Sequence, residues 1–281
     1  MCIGGRQGFE PSLHDAEFVD FSPFESASLP KPANLSIPLV GNVANYVQGK
    51  VMTCGGFGNI NCYIYDNTED VWLTASSLDT VRSNAVGFVI GGLWYILGGK
   101  DGSKCLDSTV VYNDGVFQVG QDIPYCTSYA CSVLLNETHV FYAGGYYDAS
   151  FRQDAYLLEV DGWKWTRLSN MRQARAGHSC GRVGHKLIVV GGSDEAGATS
   201  EILSLDSLTW TSGPGAPPTP SGSIRGAAVY QEEETFYLLG GRAGNNEIAT
   251  VYEFDHESFT WKERAERLVT AKSYHALVRI P

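Results

Sequence analysis

Six times in this chain a β-branched or aromatic run stops at a glycine pair: "MCIGG", "VMTCGG", "WYILGG", "VFYAGG", "LIVVGG" and "FYLLGG". The second glycines are Gly5, Gly56, Gly99, Gly145, Gly192 and Gly241, spaced 51, 43, 46, 47 and 49 residues apart. A second run ending in Asp or Asn follows each pair: "AEFVD", "CYIYD", "STVVYN", "AYLLEVD", "EILSLD" and "VYEFD". A large aromatic comes next, at Phe24, Trp72, Phe117, Trp163 with Trp165, Trp210 and Trp261. A repeat of this length cannot close a core of its own and must stack on its neighbours.

A unit of 43–51 residues holding several short strands is a propeller blade. The run before the glycines is apolar throughout because other blades cover both of its faces. The glycine pair supplies positive φ where that strand must stop. The aromatic of the outer strand is expected to pack between blades. Glycine is abundant (32 residues) and aromatics make up 12%, as many strands with tight turns require.

Hydrophobic run, Gly-Gly, Tyr-containing strand and then Trp resembles the kelch repeat, within the galactose-oxidase-like propeller superfamily, and six copies extend the resemblance over the whole chain. Phe24 and Phe117 depart from the family's usual Trp, and the first repeat is irregular. The resemblance implies an all-β fold: a six-bladed propeller with four antiparallel strands per blade. The first repeat has only "MCI" before its glycines, and "KSYHALVRIP" at the other end supplies the missing strand. The expectation is one domain over 1–281, with blade 1 built from 1–36 plus 273–281 and blades 2–6 from about 37–272. Closure by the C-terminal strand removes the open sheet edges. The truncated first strand suggests a domain cut from a longer chain, expected to be monomeric as it stands.

Formal net charge is −11, which disfavours nucleic acid as a partner, and no apolar run is long enough to insert in a membrane. No Walker A or HExxH motif occurs and the six histidines are scattered, so the chain reads as a binding module rather than an enzyme, with no cofactor and no metal. Aligned on the glycines, Arg82, Arg175, Arg225 and Lys272 fall at or within one residue of a common position, where Leu39 and Thr127 break the pattern. In intracellular kelch adaptors, arginines there line a channel mouth and clasp acidic side chains. The resemblance gives that role to Arg82, Arg175 and Arg225, and to Lys272 without arginine's bidentate fork. The other reading is that these cations bond loop carbonyls between blades. After the glycines, Phe57, Lys100, Tyr146, Tyr147, Asp194 and Arg242 are candidates for a protein-contacting rim or for ordinary turns. The alternative function is a sugar or small-molecule site in the same funnel, mutarotase-like or copper-oxidase-like. Tyr274-His275, with His178 aligned, is the pair that suggests copper.

Seven cysteines leave at least one unpaired. Cys54 and Cys62 stand on adjacent strands joined by a short loop and are a disulfide candidate, and "CGG" with "CYIYD" resembles extracellular invertebrate kelch proteins. Cys131 and Cys180 occupy similar inner-strand sites in neighbouring blades. Small buried thiols are the other reading. Sequons at Asn34 and Asn136 add little. The balance is toward a secreted protein, with a cytoplasmic one as the alternative.

Overall fold

The apolar runs are strands, and the polar, glycine-bearing segments between them are turns. The computed structural model describes residues 1–7, 12–19, 31–193, 198–232 and 235–280. Among them are five four-stranded antiparallel sheets and one of three strands. The second blade runs outward through Val43–Val47, Lys50–Cys54, Cys62–Asp66 and Val71–Thr74. The next four repeat that order, starting from Val86–Ile90, Cys131–Leu134, Ser179–Val183 and Ala228–Glu232. In the three-stranded sheet, Cys2–Ile3 lies between Ala16–Glu17 and Ala276–Leu277. Cys2 faces Leu277 and Ile3 faces Ala276. The C-terminal strand therefore joins the first blade and closes a six-bladed propeller. Phe24 lies outside the described residues.

Burial follows each strand's place. The strand before the glycines is buried past its first residue in Lys50–Cys54 and Lys186–Val190, whereas the outer strand Val71–Thr74 is largely exposed. The core is divided into six apolar clusters among the described residues, one at each interface between adjacent blades. A propeller holds together by this face-to-face burial, because its blades share few backbone hydrogen bonds.

The aromatics of the outer strands stitch the blades as well as fill between them. Trp72, Trp163, Trp210 and Trp261 each donate their indole N–H to a carbonyl of the preceding blade's chain: Ala33 (2.9 Å), Asp122 (3.1 Å), Ser169 (2.8 Å) and Gly215 (3.1 Å). In the fourth blade Trp165 occupies the strand position equivalent to the other tryptophans, facing Leu158. The stitch is nevertheless made by Trp163, in the preceding turn at φ 51°, and the Trp165 indole nitrogen is without a partner. Phe117 has no N–H to give. At that interface the Ser76 hydroxyl donates to the Gly115 carbonyl instead.

The glycine pairs are required by both conformation and contact. Gly191 has φ +70°, and a Cβ there would lie 2.1 Å from the Ile224 carbonyl oxygen of the following blade. Gly49, in a hairpin turn at φ +82°, has open space around it. Gly191→Ala is expected to destabilise by roughly 1–3 kcal/mol more than Gly49→Ala, which carries only the left-handed strain. Chemical denaturation of the two variants measures the difference, and equal midpoints would contradict it.

Candidate functional site

The second glycine of every pair donates its N–H to the residue that opens the next inner segment: Leu39, Arg82, Thr127, Arg175, Ile224 and Lys272, at 2.7–2.9 Å. These six are the structurally equivalent positions. Two residues further on, a ring of backbone hydrogen bonds circles the channel. Gly41 donates to Tyr274, Asn84 to Gly41, Tyr129 to Asn84, Gly177 to Tyr129, Gly226 to Gly177 and Tyr274 to Gly226, at 2.7–3.0 Å. All six residues have φ between 52° and 66°. Three are glycines and one is Asn, which tolerate this region, but Tyr129 and Tyr274 do not adopt it readily. Two strained tyrosines held by a closed hydrogen-bonded ring are the kind of departure that gathers at functional sites.

Their rings meet edge to face across the channel, with centroids 5.6 Å apart. The Tyr274 ring also lies within contact distance of where side chains on Gly177 and Gly226 would stand, which is why those positions are glycine. On one side of this constriction is a small cavity of about 170 Å³ bordered by His178 and His275. On the other is an open funnel of about 540 Å³, lined by Arg6, Val40, Phe57, Asn84, Tyr129, Arg225, Arg242 and Tyr274.

Three arginines converge on that funnel. Arg225 and Arg242 pair as a backbone bridge, and Arg6 bridges Ser273 within the first blade. The Arg242 guanidinium bonds the loop carbonyls of Gly244 (3.1 Å) and Asn245 (3.3 Å), which orients it without neutralising it. Among the described residues no ion pair to Arg225 is formed. Burial pushes the Tyr274 hydroxyl above its ordinary pKa, and Arg225, Arg242 and Arg6 all pull against that shift, while Glu247 adds to it. Phe57, 75% exposed, stands at the rim.

Arg82, Arg175 and Lys272 are not at the mouth, which corrects the expectation that they contact ligand there. All three are buried. Arg82 donates to the carbonyls of Gly98 (2.9 Å) and Ser108 (2.8 Å) and to the Ser108 hydroxyl (2.7 Å). Arg175 donates to the carbonyls of Gly191 (2.8 Å) and Thr199 (3.4 Å) and pairs with Glu201 at 2.7 Å. Lys272 pairs with Asp15 at 2.7 Å and with Glu17 at 2.6 Å, the latter off hydrogen-bonding geometry. These cations brace loops, the other of the two readings the sequence offered. Burial pulls the Lys272 ammonium down, but Glu17 and Asp15 together outweigh it and hold it above its ordinary pKa. Where Thr127 stands in place of an arginine, the Tyr125 hydroxyl donates to the equivalent carbonyl, Gly144, at 3.1 Å.

Arg225 reaches the funnel because it lies one residue past the bracing position, which Ile224 holds. Of the rim candidates, Arg242 and Phe57 line the funnel. Tyr146 packs its ring on Phe151, 5.3 Å between centroids, and lies with Lys100 and Tyr147 outside the lining. Asp194 lies outside the described residues. Arg6 went unnoticed in the sequence, although "GGR" occurs twice, at Arg6 and Arg242. Ser-Tyr likewise occurs at both Tyr129 and Tyr274. His178 and His275 belong to different blades, and among the described residues no group of three or more His, Cys, Asp or Glu is placed to hold a metal ion.

Cys54 and Cys62 face each other in register and are joined by a disulfide, with Cα atoms 4.1 Å apart. A second disulfide joins Cys131 to Cys180 across the inner strands of neighbouring blades, with Cα atoms 6.0 Å apart. No helix among the described residues is long and apolar enough to cross a membrane.

The family model described as the KLHDC2/KLHL20/DRC7 Kelch-repeats domain matches residues 115–279. The chain belongs to the kelch-repeat family. This kelch propeller is 30% identical over 122 residues to human Kelch-like protein 34, covering 41% of this chain and 18% of that protein. It is 27% identical over 178 residues to Acyl-CoA-binding domain-containing protein 4 of Arabidopsis thaliana, covering 57% and 26%. It is 24% identical over 218 residues to Kelch-like protein 36 of Bos taurus, covering 73% and 35%. The kelch propeller thus spans about a third or less of the length of these relatives.

Proposed function

We propose that residues 1–281 act as a protein- or peptide-binding kelch domain that holds acidic side chains of its partner in the channel mouth. Kelch propellers are typically protein-interaction modules. The observation that carries the finer reading is the convergence of Arg6, Arg225 and Arg242 on one funnel in a chain of net charge −11. A local positive spot on an otherwise negative molecule attracts anionic groups to that site. Tyr129, Tyr274 and Phe57 add the aromatic surface on which the rest of a peptide would lie.

A random peptide library selected against the protein tests this. The expected result is enrichment of Asp and Glu among retained peptides. Arg225→Ala and Arg242→Ala should each weaken a selected peptide by roughly 10- to 150-fold, the loss of one charge-assisted contact of about 1.5–3 kcal/mol, with unchanged melting temperature. Retained peptides without acidic residues, or undiminished binding by both variants, would overturn the reading. The two disulfides favour maturation in an oxidising compartment, so a secreted origin accompanies the proposal. Both thiol pairs found reduced in protein exported by eukaryotic cells would remove that support.

A further inference from the structure

Three cysteines stay outside the two disulfides: Cys2, Cys105 and Cys126. Cys2 is fully buried, and burial pushes its thiol up to about 12. Cys105 and Cys126 are half-buried, and their thiols lie near each other, outside hydrogen-bond geometry. The backbone fixes that approach. Cys105 ends the short strand Lys104–Cys105, which pairs with Lys100–Asp101. The next residue, Leu106, accepts a hydrogen bond at 3.2 Å from Thr127, the residue after Cys126. Leu106 also donates to Gly99 at 2.9 Å. The two cysteines are therefore carried side by side by a hairpin of the third blade and the segment that enters the fourth.

We infer that Cys105 and Cys126 form a third disulfide, a reversible staple between the hairpin 100–105 and the entry to the next blade. The reaction is thiol–disulfide exchange with a small-molecule disulfide. One cysteine thiolate attacks the reagent, releasing one reduced thiol and leaving a mixed disulfide. The second thiol loses its proton and attacks the protein-side sulfur, expelling the second reduced thiol as the intramolecular bond forms. Two protein thiols are oxidised and one reagent disulfide is reduced to two thiols. The staple involves neither the arginines nor any ligand, so it is independent of the peptide-binding reading.

Burial and the nearby Cys126 raise the Cys105 thiol, so exchange is faster in mildly alkaline buffer. The folded protein, with both existing disulfides intact, is incubated there with oxidised glutathione, quenched in acid and unfolded. Counting reactive thiols should then give one, Cys2, where the untreated protein gives three. Peptide mapping without reductant should recover a peptide joining Cys105 to Cys126. In Cys105→Ser, Cys126 should instead keep its glutathione adduct, because the resolving thiol is gone. Three remaining thiols, or separate stable adducts on Cys105 and Cys126 in the native chain, would overturn the inference.

Discussion

Arg175→Ala is expected to lower the unfolding free energy by about 3–5 kcal/mol, the cost of stranding the partner of a buried ion pair. The Arg175 side chain is fully buried and that of Glu201 is 4% exposed. Removing the guanidinium leaves Glu201 with only the backbone N–H groups of Arg172 (2.6 Å) and Gln173 (3.0 Å). It also deprives the Gly191 carbonyl of its donor, at the point where one blade meets the next. Lys272→Ala should cost at least as much, because it leaves two carboxylates, Asp15 and Glu17, facing one another with their shared cation gone. The two sites use one device. Glu17 accepts the Val269 N–H just as Glu201 accepts the Arg172 N–H, each three residues before its cation. At Lys272 the device also joins the two ends of the chain, so its loss should open the ring. Urea denaturation of both variants beside Arg225→Ala provides the check. Arg225 is half-exposed and braces nothing, so its loss should leave the midpoint in place. A midpoint for Arg175→Ala within error of the parent protein would refute the bracing role.

The same residues explain how far the sequence could be read. Six glycine pairs in register fixed the blade number, because a positive-φ stop must recur wherever an inner strand ends against the next blade. Ring closure was legible from a strand missing at one end and spare at the other. The direction of the cations was not legible. Along an extended segment, neighbouring residues face opposite ways, so a shift of one residue moves a side chain from loop brace to open mouth. Ile224 holds the bracing position and Arg225 falls just beyond it, whereas Arg82 and Arg175 hold that position themselves. Arg6 escaped notice because the first repeat is irregular around its glycines. The strained ring was hidden for a different reason. Only three of its six members are glycine, and Tyr129 and Tyr274 are held at positive φ by tertiary hydrogen bonds that no local preference announces. Trp163 and Trp165 show the same limit on the outer strands. Strand register selects Trp165, but the indole that reaches the preceding blade is that of Trp163.

The propeller should lose about 4 kcal/mol of stability between about pH 7 and about pH 5, roughly 2 kcal/mol from each of His178 and His275. Both imidazoles are buried beside the channel and none of their ring nitrogens has a hydrogen-bond partner. Burial, and then the charge of Arg175, lower His178 to about 3; the Ala143 carbonyl lies near the ring, outside hydrogen-bond geometry, and opposes the shift. Burial, and then the charge of Lys272, lower His275 to about 3. In the unfolded chain each imidazole takes up its proton near pH 6.5. Below that pH the unfolded state binds more protons than the folded one, so protonation favours unfolding. The loss continues as pH falls toward about 3, where the folded imidazoles begin to titrate as well. The bracing cations thus act twice, holding the loops together and keeping the neighbouring histidines neutral. Denaturation midpoints across this window should fall steeply in the parent protein. They should flatten in the double variant His178→Gln, His275→Gln, which cannot take up those two protons. A parent profile already flat between pH 7 and pH 5 would mean that the two imidazoles are far better solvated than their burial implies.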